Sequence, residues 1–530
     1  MHIRKTFAYQ SRSAHLLSPG ELEEYVDRAR AQWRNVGLAV AVVKDTSVLY
    51  AGGFGVRRSG ESAPVTADTL FQVGSTTKSF TTAALGLLVE EGALQWDDPI
   101  SRYLPAFQLS DPWMTRHLTV RDVLAHRTGI FDSLYPFLGI LDTEASIRQL
   151  AHLAPNGPFR DSFCYSNLLY AAAGRILEVL SQRSWGDFVR QRLLLPLRMQ
   201  RSRTSPFERW NREQVTPTFF GSRPMNRDQS ETLRDSDMAM PHGWDADGSI
   251  RVLPWRTYDN AAAAGGLVSS AADMANWLIL NINGGSFEGQ QLLKPETIDT
   301  LHTTQNLHSI HQFPYEAATE SYAFGWFKAE FAGRAHLEHG GGMIGFPAYL
   351  AMIPQERLAV VVLSNGSKAA RERLTLPYRM GLHKSIAFWV FDRLLGHPER
   401  DWSQEFLARA REEEQDLQRK EEELQRSRLS QTPASLPWER YAGTYEDLKS
   451  RSIRVEVRFE EGALVFGLPG AGAYRARLEH WHQDVFRLRS EPGVADVFAT
   501  RFVTFQVDPN GRIASLAAFD TIFEPMAAQS

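Results

Sequence analysis

Hydrophobic and polar positions follow two different periods along this chain, and the periods separate helices from strands. ELEEYVDRARAQW (21–33) carries Leu22, Tyr25, Val26 and Ala29 on one stripe, which predicts a helix. Two apolar runs follow, VGLAVAVVKD (36–45) and SVLYAGGFGV (47–56); joined around Lys44-Asp45-Thr46, they predict a hairpin at the edge or centre of a sheet. From Ser75 to Glu91, Phe80, Ala83, Ala84, Leu87 and Leu88 recur at helical spacing and Gly92 supplies a stop, predicting a central, buried helix. The same reading predicts helices at 119–126, 143–153, 166–182, 184–194, 270–283 and 294–302, strands at 323–331, 346–354 and 358–365, and a closing helix at 383–395. Strands at both ends with helices between them predict an α+β unit whose sheet is closed by both chain ends. The irregular stretch 205–262, rich in Pro, Asp and Arg, is long for a connection and predicts loops that line a site.

The pattern then changes. Residues 403–428 are dense in charge, with Ala410, Leu417 and Leu424 seven apart. So thin a stripe over so few heptads predicts a solvated linker helix rather than a coiled coil. From 438 to 525, short alternating runs (IRVEVRFEE, ALVFGLP, YRARLEHW, DVFRLRS, FVTFQVD, IASLAAF) are separated by turn residues, which predicts a small antiparallel barrel or sandwich. The expected organisation is an N-terminal extension (1–19), an α+β unit (20–398), a charged helical linker (399–436) and an all-β unit (437–530).

At 530 residues, with 43% hydrophobic and 23% charged, the chain is an ordinary globular one, long enough for two or three domains at roughly 150 residues each. A net charge of -4 supplies no global field toward nucleic acid or an anionic membrane, so neither is expected as a partner. No apolar run reaches the length of about 18 residues that a membrane span needs, and the first 30 residues lack a secretory apolar core, so a cytoplasmic protein is expected. Arg4, Lys5 and Arg12, with no acid before Glu21, weakly resemble a mitochondrial presequence. Cys164 stands alone, which excludes an internal disulfide and a cysteine-based zinc site. His336 and His339 on a strand-like run do not form a zinc pattern, and neither metal nor cofactor is expected.

Three short motifs carry candidate chemistry. Ser75 and Lys78 form an S-x-x-K at a predicted helix start, where a spacing of three lets an amine reach a hydroxyl on one face. The bland alternative is a capping serine beside a solvated lysine. Tyr165-Ser166-Asn167 opens another predicted helix and offers a phenol beside an amide. Glu338-His339-Gly340-Gly341-Gly342 reads as a glycine turn before a strand, where a backbone edge could approach a ligand closely.

S-x-x-K, then Y-x-N, then H-x-G, in that order, resembles the serine β-lactamase and penicillin-binding-protein superfamily, particularly its class C, D-alanyl-D-alanine carboxypeptidase and esterase branch. LTVRDVLAHRTGIFD (118–132) and AAAGGLVSSAADMANWL (262–278) resemble further stretches of that branch, and the likeness runs from about 20 to 395. It implies a β-lactamase/transpeptidase-like fold, an antiparallel sheet with flanking helices and a helical subdomain. LPWERYAGTYED and the strands after it resemble an appended lipocalin-like β-barrel.

The resemblance implies Ser75 as a nucleophile that forms an acyl-enzyme, with Lys78 and Tyr165 moving its proton. Asn167, His339, Gly340, Gly341 and Gly342 would bind substrate and, through the Ser75 and Gly342 N–H groups, the oxyanion. His339 stands where true β-lactamases carry lysine, Thr128 where the branch has serine, and Gly342 where many relatives have a hydroxyl. The first change weakens the anchor for a substrate carboxylate. The expected activity is therefore a serine hydrolase of an ester, amide or peptide bond, with a small-molecule or peptide acyl substrate. The alternatives are an acyltransferase of small-molecule biosynthesis and a non-catalytic scaffold or peptide-binding protein. The charged helix leaves homo-oligomerisation open, and the barrel is expected to restrict access to the site.

Overall fold

The computed structural model describes residues 17–132, 141–206, 237–244, 248–253, 255–256, 258–308, 320–366, 381–429, 432–468, 475–490, 502–519 and 521–526. The basic start of the chain and most of the predicted loop stretch 205–262 lie outside the described residues. Eight strands build one antiparallel sheet: β1 (Gly37–Lys44), β2 (Ser47–Gly55), β3 (Asn306–His308), β4 (Glu320–Tyr322), β5 (Phe327–Phe331), β6 (Arg334–Met343), β7 (Phe346–Ile353) and β8 (Leu358–Ser364). Their spatial order is β2-β1-β8-β7-β6-β5-β4-β3, so the predicted hairpin sits at one edge and β1 pairs with β8 from the far end of the unit.

The long helices are α1 (Pro19–Gln32), α2 (Thr77–Glu90), α3 (Asn167–Ser181), α4 (Ala271–Ile282), α5 (Gly381–Leu395) and α6 (Trp402–Arg426). They cover the sheet on both sides. Leu38, Val40 and Val42 of β1, with Val360 and Val362 of β8, pack against α1 and α5. The intervening Ala39, Ala41, Val43, Val361 and Leu363 pack against α4 and the helices around α2. Two buried faces explain why these strands read as unbroken apolar runs rather than as alternation.

Several predicted elements come out differently, among them the strand predicted at 323–331, which forms only from Phe327 as β5. The helix predicted at 119–126 stops at Leu124, because His126 takes a left-handed backbone (φ +54°) that breaks the turn. The Glu338–Gly342 motif, read from sequence as a turn before a strand, lies inside β6, a ten-residue strand. Of its glycines, Gly341 serves close packing.

The linker helix α6 starts in the core, with Trp402 and Phe406 buried against α5, and then runs mostly in solvent. Beyond it eight strands in sequential order form a closed antiparallel barrel, from Gly443–Asp447 to Thr521–Pro525, which pair with each other to close it. Of the two predicted architectures, the barrel is the one formed. Arg487 of the barrel pairs with Glu421 of α6 (2.8 Å), and Leu141, just before the helix Thr143–Arg148, joins the barrel's apolar core, with Ala145 of that helix packed against it. Among the described residues, no helix is long and apolar enough to cross a membrane.

Candidate active site

Helix α2 is buried on every face along most of its length, although its first two turns are polar. Those polar groups find partners: Thr81 donates to the Ala263 carbonyl (2.7 Å) and Ser79 to the Thr76 carbonyl (2.8 Å). A single turn of 3₁₀ helix, Gly74–Thr76, leads into it, with Gly74 at φ +53°. Ser75 lies in that turn and is only partly buried, and no side chain caps either helix start. The capping alternative for Ser75 is therefore not what the structure contains.

Lys78, one turn on, is fully buried. Its Nζ donates to Ser75 Oγ (3.1 Å), Asn167 Oδ1 (2.7 Å) and the Ala264 carbonyl (2.9 Å). These acceptors are all neutral. Burial pulls the Lys78 amine down to about 7, with only the charge of Asp132 pulling it back up. At neutral pH a large fraction of the amine carries a lone pair beside the serine hydroxyl.

The second motif is held by its own helix end. Ser166 caps α3, its hydroxyl accepting the Leu169 N–H (3.2 Å), and the Ser166 N–H is taken by His126 Nδ1 (3.1 Å). This fixes Tyr165 just before the helix and Asn167 at its first position. The Tyr165 ring lies 4.7 Å from Lys78 Nζ, and burial pushes its phenol well above the ordinary tyrosine value, with Ser75 pulling the other way. Tyr165 is therefore protonated at neutral pH. His126 orders this end of α3, and its ring lies tilted against that of Tyr165 (centroids 4.3 Å). Neighbouring Cys164 is half-buried, and burial raises its thiol.

The third motif approaches from β6. A Cβ at Gly341 would lie 1.9 Å from the Val73 carbonyl oxygen, so only glycine lets the strand pass this close to the Ser75 turn. The Gly342 nitrogen adjoins Gly74, while a Cβ at Gly342 would meet nothing within 4 Å. Gly342 thus borders open space beside Ser75. On its other side β6 outruns its partner: pairing with β5 ends at Glu338, so His339 to Met343 present an edge without a strand partner among the described residues.

His339 is buried and neutral. Its ring, lowered to about 3 by burial and by Lys78, donates from Nδ1 to the Gly340 carbonyl (2.7 Å), leaving Nε2 to accept from the Tyr322 hydroxyl (3.1 Å). Both ring nitrogens are thereby committed within the protein.

Glu338 and His336 point the other way, toward α5. Glu338 receives Lys384 Nζ (2.8 Å) and the Tyr349 hydroxyl, with His336 Nε2 3.8 Å away. Burial acts to raise the Glu338 carboxyl, but Lys384 and His336 outweigh it and hold it below the ordinary glutamate value.

Ser75, Lys78, Tyr165, Asn167, His339, Gly341 and Gly342 thus converge, and Gly340 contributes the carbonyl that orients His339. Sequence reasoning did not single out Asp132, Tyr322 or the Ala264 carbonyl. Asp132 ends the quoted stretch 118–132 and Ala264 lies in the stretch 262–278, so both had a signal. Tyr322 had none.

Residues 22–384 match the family model described as Beta-lactamase, and the chain belongs to this family of serine β-lactamase and penicillin-binding-protein-like hydrolases. Residues 427–529 match a model described as Domain of unknown function (DUF3471). The chain is 27% identical to Unguisins hydrolase ungD' of Aspergillus campestris (strain IBT 28561), over 65% of this chain and 61% of that protein. It is also 27% identical to Penicillin-binding protein 4 of Amycolatopsis lactamdurans, over 66% of this chain and 85% of that one. The chain therefore spans about three fifths of the first relative's length. The fold is shared with the octameric penicillin-binding protein homologue from Pyrococcus abyssi (TM-score 0.59, 24% identity, covering 96% of this chain and 100% of that one). It is shared also with a D-stereospecific amidohydrolase from Streptomyces sp. (TM-score 0.52, 18% identity, 66% and 95% covered).

Proposed function

We propose that the chain hydrolyses an amide, peptide or ester bond through an acyl-enzyme on Ser75, within the boundaries 20–398, with the linker 399–436 and the barrel 437–530 as separate units. The observation that carries this reading is the buried Lys78 amine, held 3.1 Å from the Ser75 hydroxyl by neutral acceptors. A purely structural fold has no need of an unpaired amine in its core.

Ser75 Oγ attacks the substrate carbonyl carbon and its proton passes to Lys78. The N–H groups of Ser75 and Gly342 receive the oxyanion, at about 3 kcal/mol for each preorganised donor. Tyr165, protonated at rest, gives its proton to the departing nitrogen or oxygen as the carbon–heteroatom bond breaks, and Lys78 replaces it. Water then attacks the acyl-enzyme by the reverse proton route. Asn167 holds Lys78, and His339 shapes the wall beside the unpaired edge of β6.

That edge favours a peptide-like substrate, since an extended backbone can pair along His339 to Met343. With His339 neutral and committed, and no side chain at Gly342, these two positions of β6 offer neither a cation nor a hydroxyl to a free carboxylate. An uncharged or internal amide fits better than a β-lactam or a C-terminal dipeptide. A D-stereospecific amidohydrolase among the similar structures agrees with an amide substrate. Transfer of the acyl group to an amine or alcohol would use the same residues, and product partition with an added acceptor separates the two.

The first test is intact mass of the full-length protein after a fluorophosphonate and a panel of peptide amides and esters, beside Ser75→Ala. Adducts on the wild type alone support the acyl-enzyme. An adduct that survives in Ser75→Ala, or none with any donor, overturns it.

A further inference from the structure

Asp132 is a buried carboxylate (5% exposed) that this machinery does not use. Its Oδ2 accepts the N–H groups of Asn167 (2.6 Å) and Leu168 (2.9 Å), the first two residues of α3. Ser166 already takes the next N–H, from Leu169. A serine, threonine or asparagine could satisfy such N–H groups without bringing a charge into the core. The carboxylate therefore calls for a reason beyond capping.

Two routes connect it to Lys78. Asn167 is held by its backbone to Asp132 and by its Oδ1 to Lys78 Nζ (2.7 Å), so the carboxylate fixes the residue that fixes the amine. The second route is through space. Lys78 is faced by Ser75 on its own helix, by Tyr165, Asn167 and Tyr170 at the start of α3, by the Ala264 carbonyl, and by His339 of β6. Every one of these groups is neutral as described, and Asp132 supplies the negative charge acting on the amine.

We propose that Asp132 is a positioning residue, which holds Asn167 and hence Lys78 against Ser75 and whose negative charge governs how readily Lys78 gives up its proton. This rests on the acyl-enzyme reading above. The two groups restrain each other: burial lifts the Asp132 carboxyl to about 6 and lowers the Lys78 amine to about 7, while each charge opposes the other's shift. Without the carboxylate, Lys78 would lose its proton at still lower pH. With it, the amine stays basic enough to take the serine proton.

The test compares full-length wild type with Asp132→Asn, which keeps an acceptor oxygen for the helix N–H groups and removes the charge. The second-order rate of fluorophosphonate labelling of Ser75 is followed from pH 5 to 9. The expected result is an acid limb displaced to lower pH by about one unit and a lower plateau. A limb at the wild-type pH, whatever the plateau, overturns the proposal and leaves Asp132 as a helix cap. Asp132→Ser, with a smaller acceptor, replaces the first variant if that one fails to fold. Failure of both to fold likewise assigns the carboxylate to structure alone. A wild type that labels at no pH removes the underlying reading, an outcome distinct from a labelled wild type and an unshifted variant.

Discussion

Among the described residues two lysines are buried, one on each side of the same sheet, and their surroundings differ in one respect. Lys78 meets a hydroxyl, an amide oxygen and a backbone carbonyl, all neutral; Lys384 meets the Glu338 carboxylate at 2.8 Å. Neutral acceptors orient an amine without holding its proton, and burial then makes that proton easy to lose. A carboxylate at contact distance keeps its partner charged and turns the pair into a structural joint. Burial alone therefore does not mark a reactive lysine; the charge of its acceptors does.

The largest effect should come from Lys78. Lys78→Met is expected to lower the fluorophosphonate labelling rate of Ser75 by about a thousandfold, the scale of a lost general base, while its urea midpoint moves far less than that of Lys384→Met. A rate close to wild type would break the comparison at its first member.

Lys384→Met should do the reverse. It strands Glu338 in the core and should destabilise the fold by about 3–5 kcal/mol. Lys384→Met with Glu338→Gln should recover most of that loss in urea melts, and labelling per folded molecule should change little. A double variant no more stable than the single one would show that the pair is not the joint described. Tyr349→Phe removes a hydrogen bond to the same carboxylate and should cost about 1.5–3 kcal/mol, read from the same melts.

The smallest effect is graded. The Lys78 amine titrates near 7, below the ordinary lysine value, and only its neutral form accepts the serine proton. The labelling rate should therefore be flat above that pH and fall about tenfold per unit below it. A profile flat down to pH 5 would mean that the amine is not the base.

Much of this was legible in the sequence, for reasons that particular elements make plain. β1 and β8 announced themselves because both their faces are buried, so every position between their ends is apolar. β6 did not, because Gly340 to Gly342 carry no side chains from which a period can be read. The group that requires glycine at position 341, the Val73 carbonyl, lies far off in the chain. Six barrel strands showed alternation, whereas the closing pair, Gly443–Asp447 and Thr521–Pro525, is short and makes sense only through partners at opposite ends of the barrel. At the site, Ser75 with Lys78 and Tyr165 with Asn167 were readable because helix geometry makes them local. Asp132 and Tyr322 act across long sequence separations that no local pattern encodes.

The pairing of β1 with β8 also sets a timetable. Leu38 lies opposite Ser364, so the strand made among the first has its partner more than three hundred residues later. At translation rates of about 5–20 residues per second, its apolar edge waits for tens of seconds, with only the β2 hairpin beside it. An unpaired apolar edge is a template for wrong partners, and contacts this distant slow the search for the right one. The inner strand of the edge hairpin is thus the part of the nascent chain with most need of protection, and conditions that stall synthesis before Ser364 should produce aggregates held together through β1.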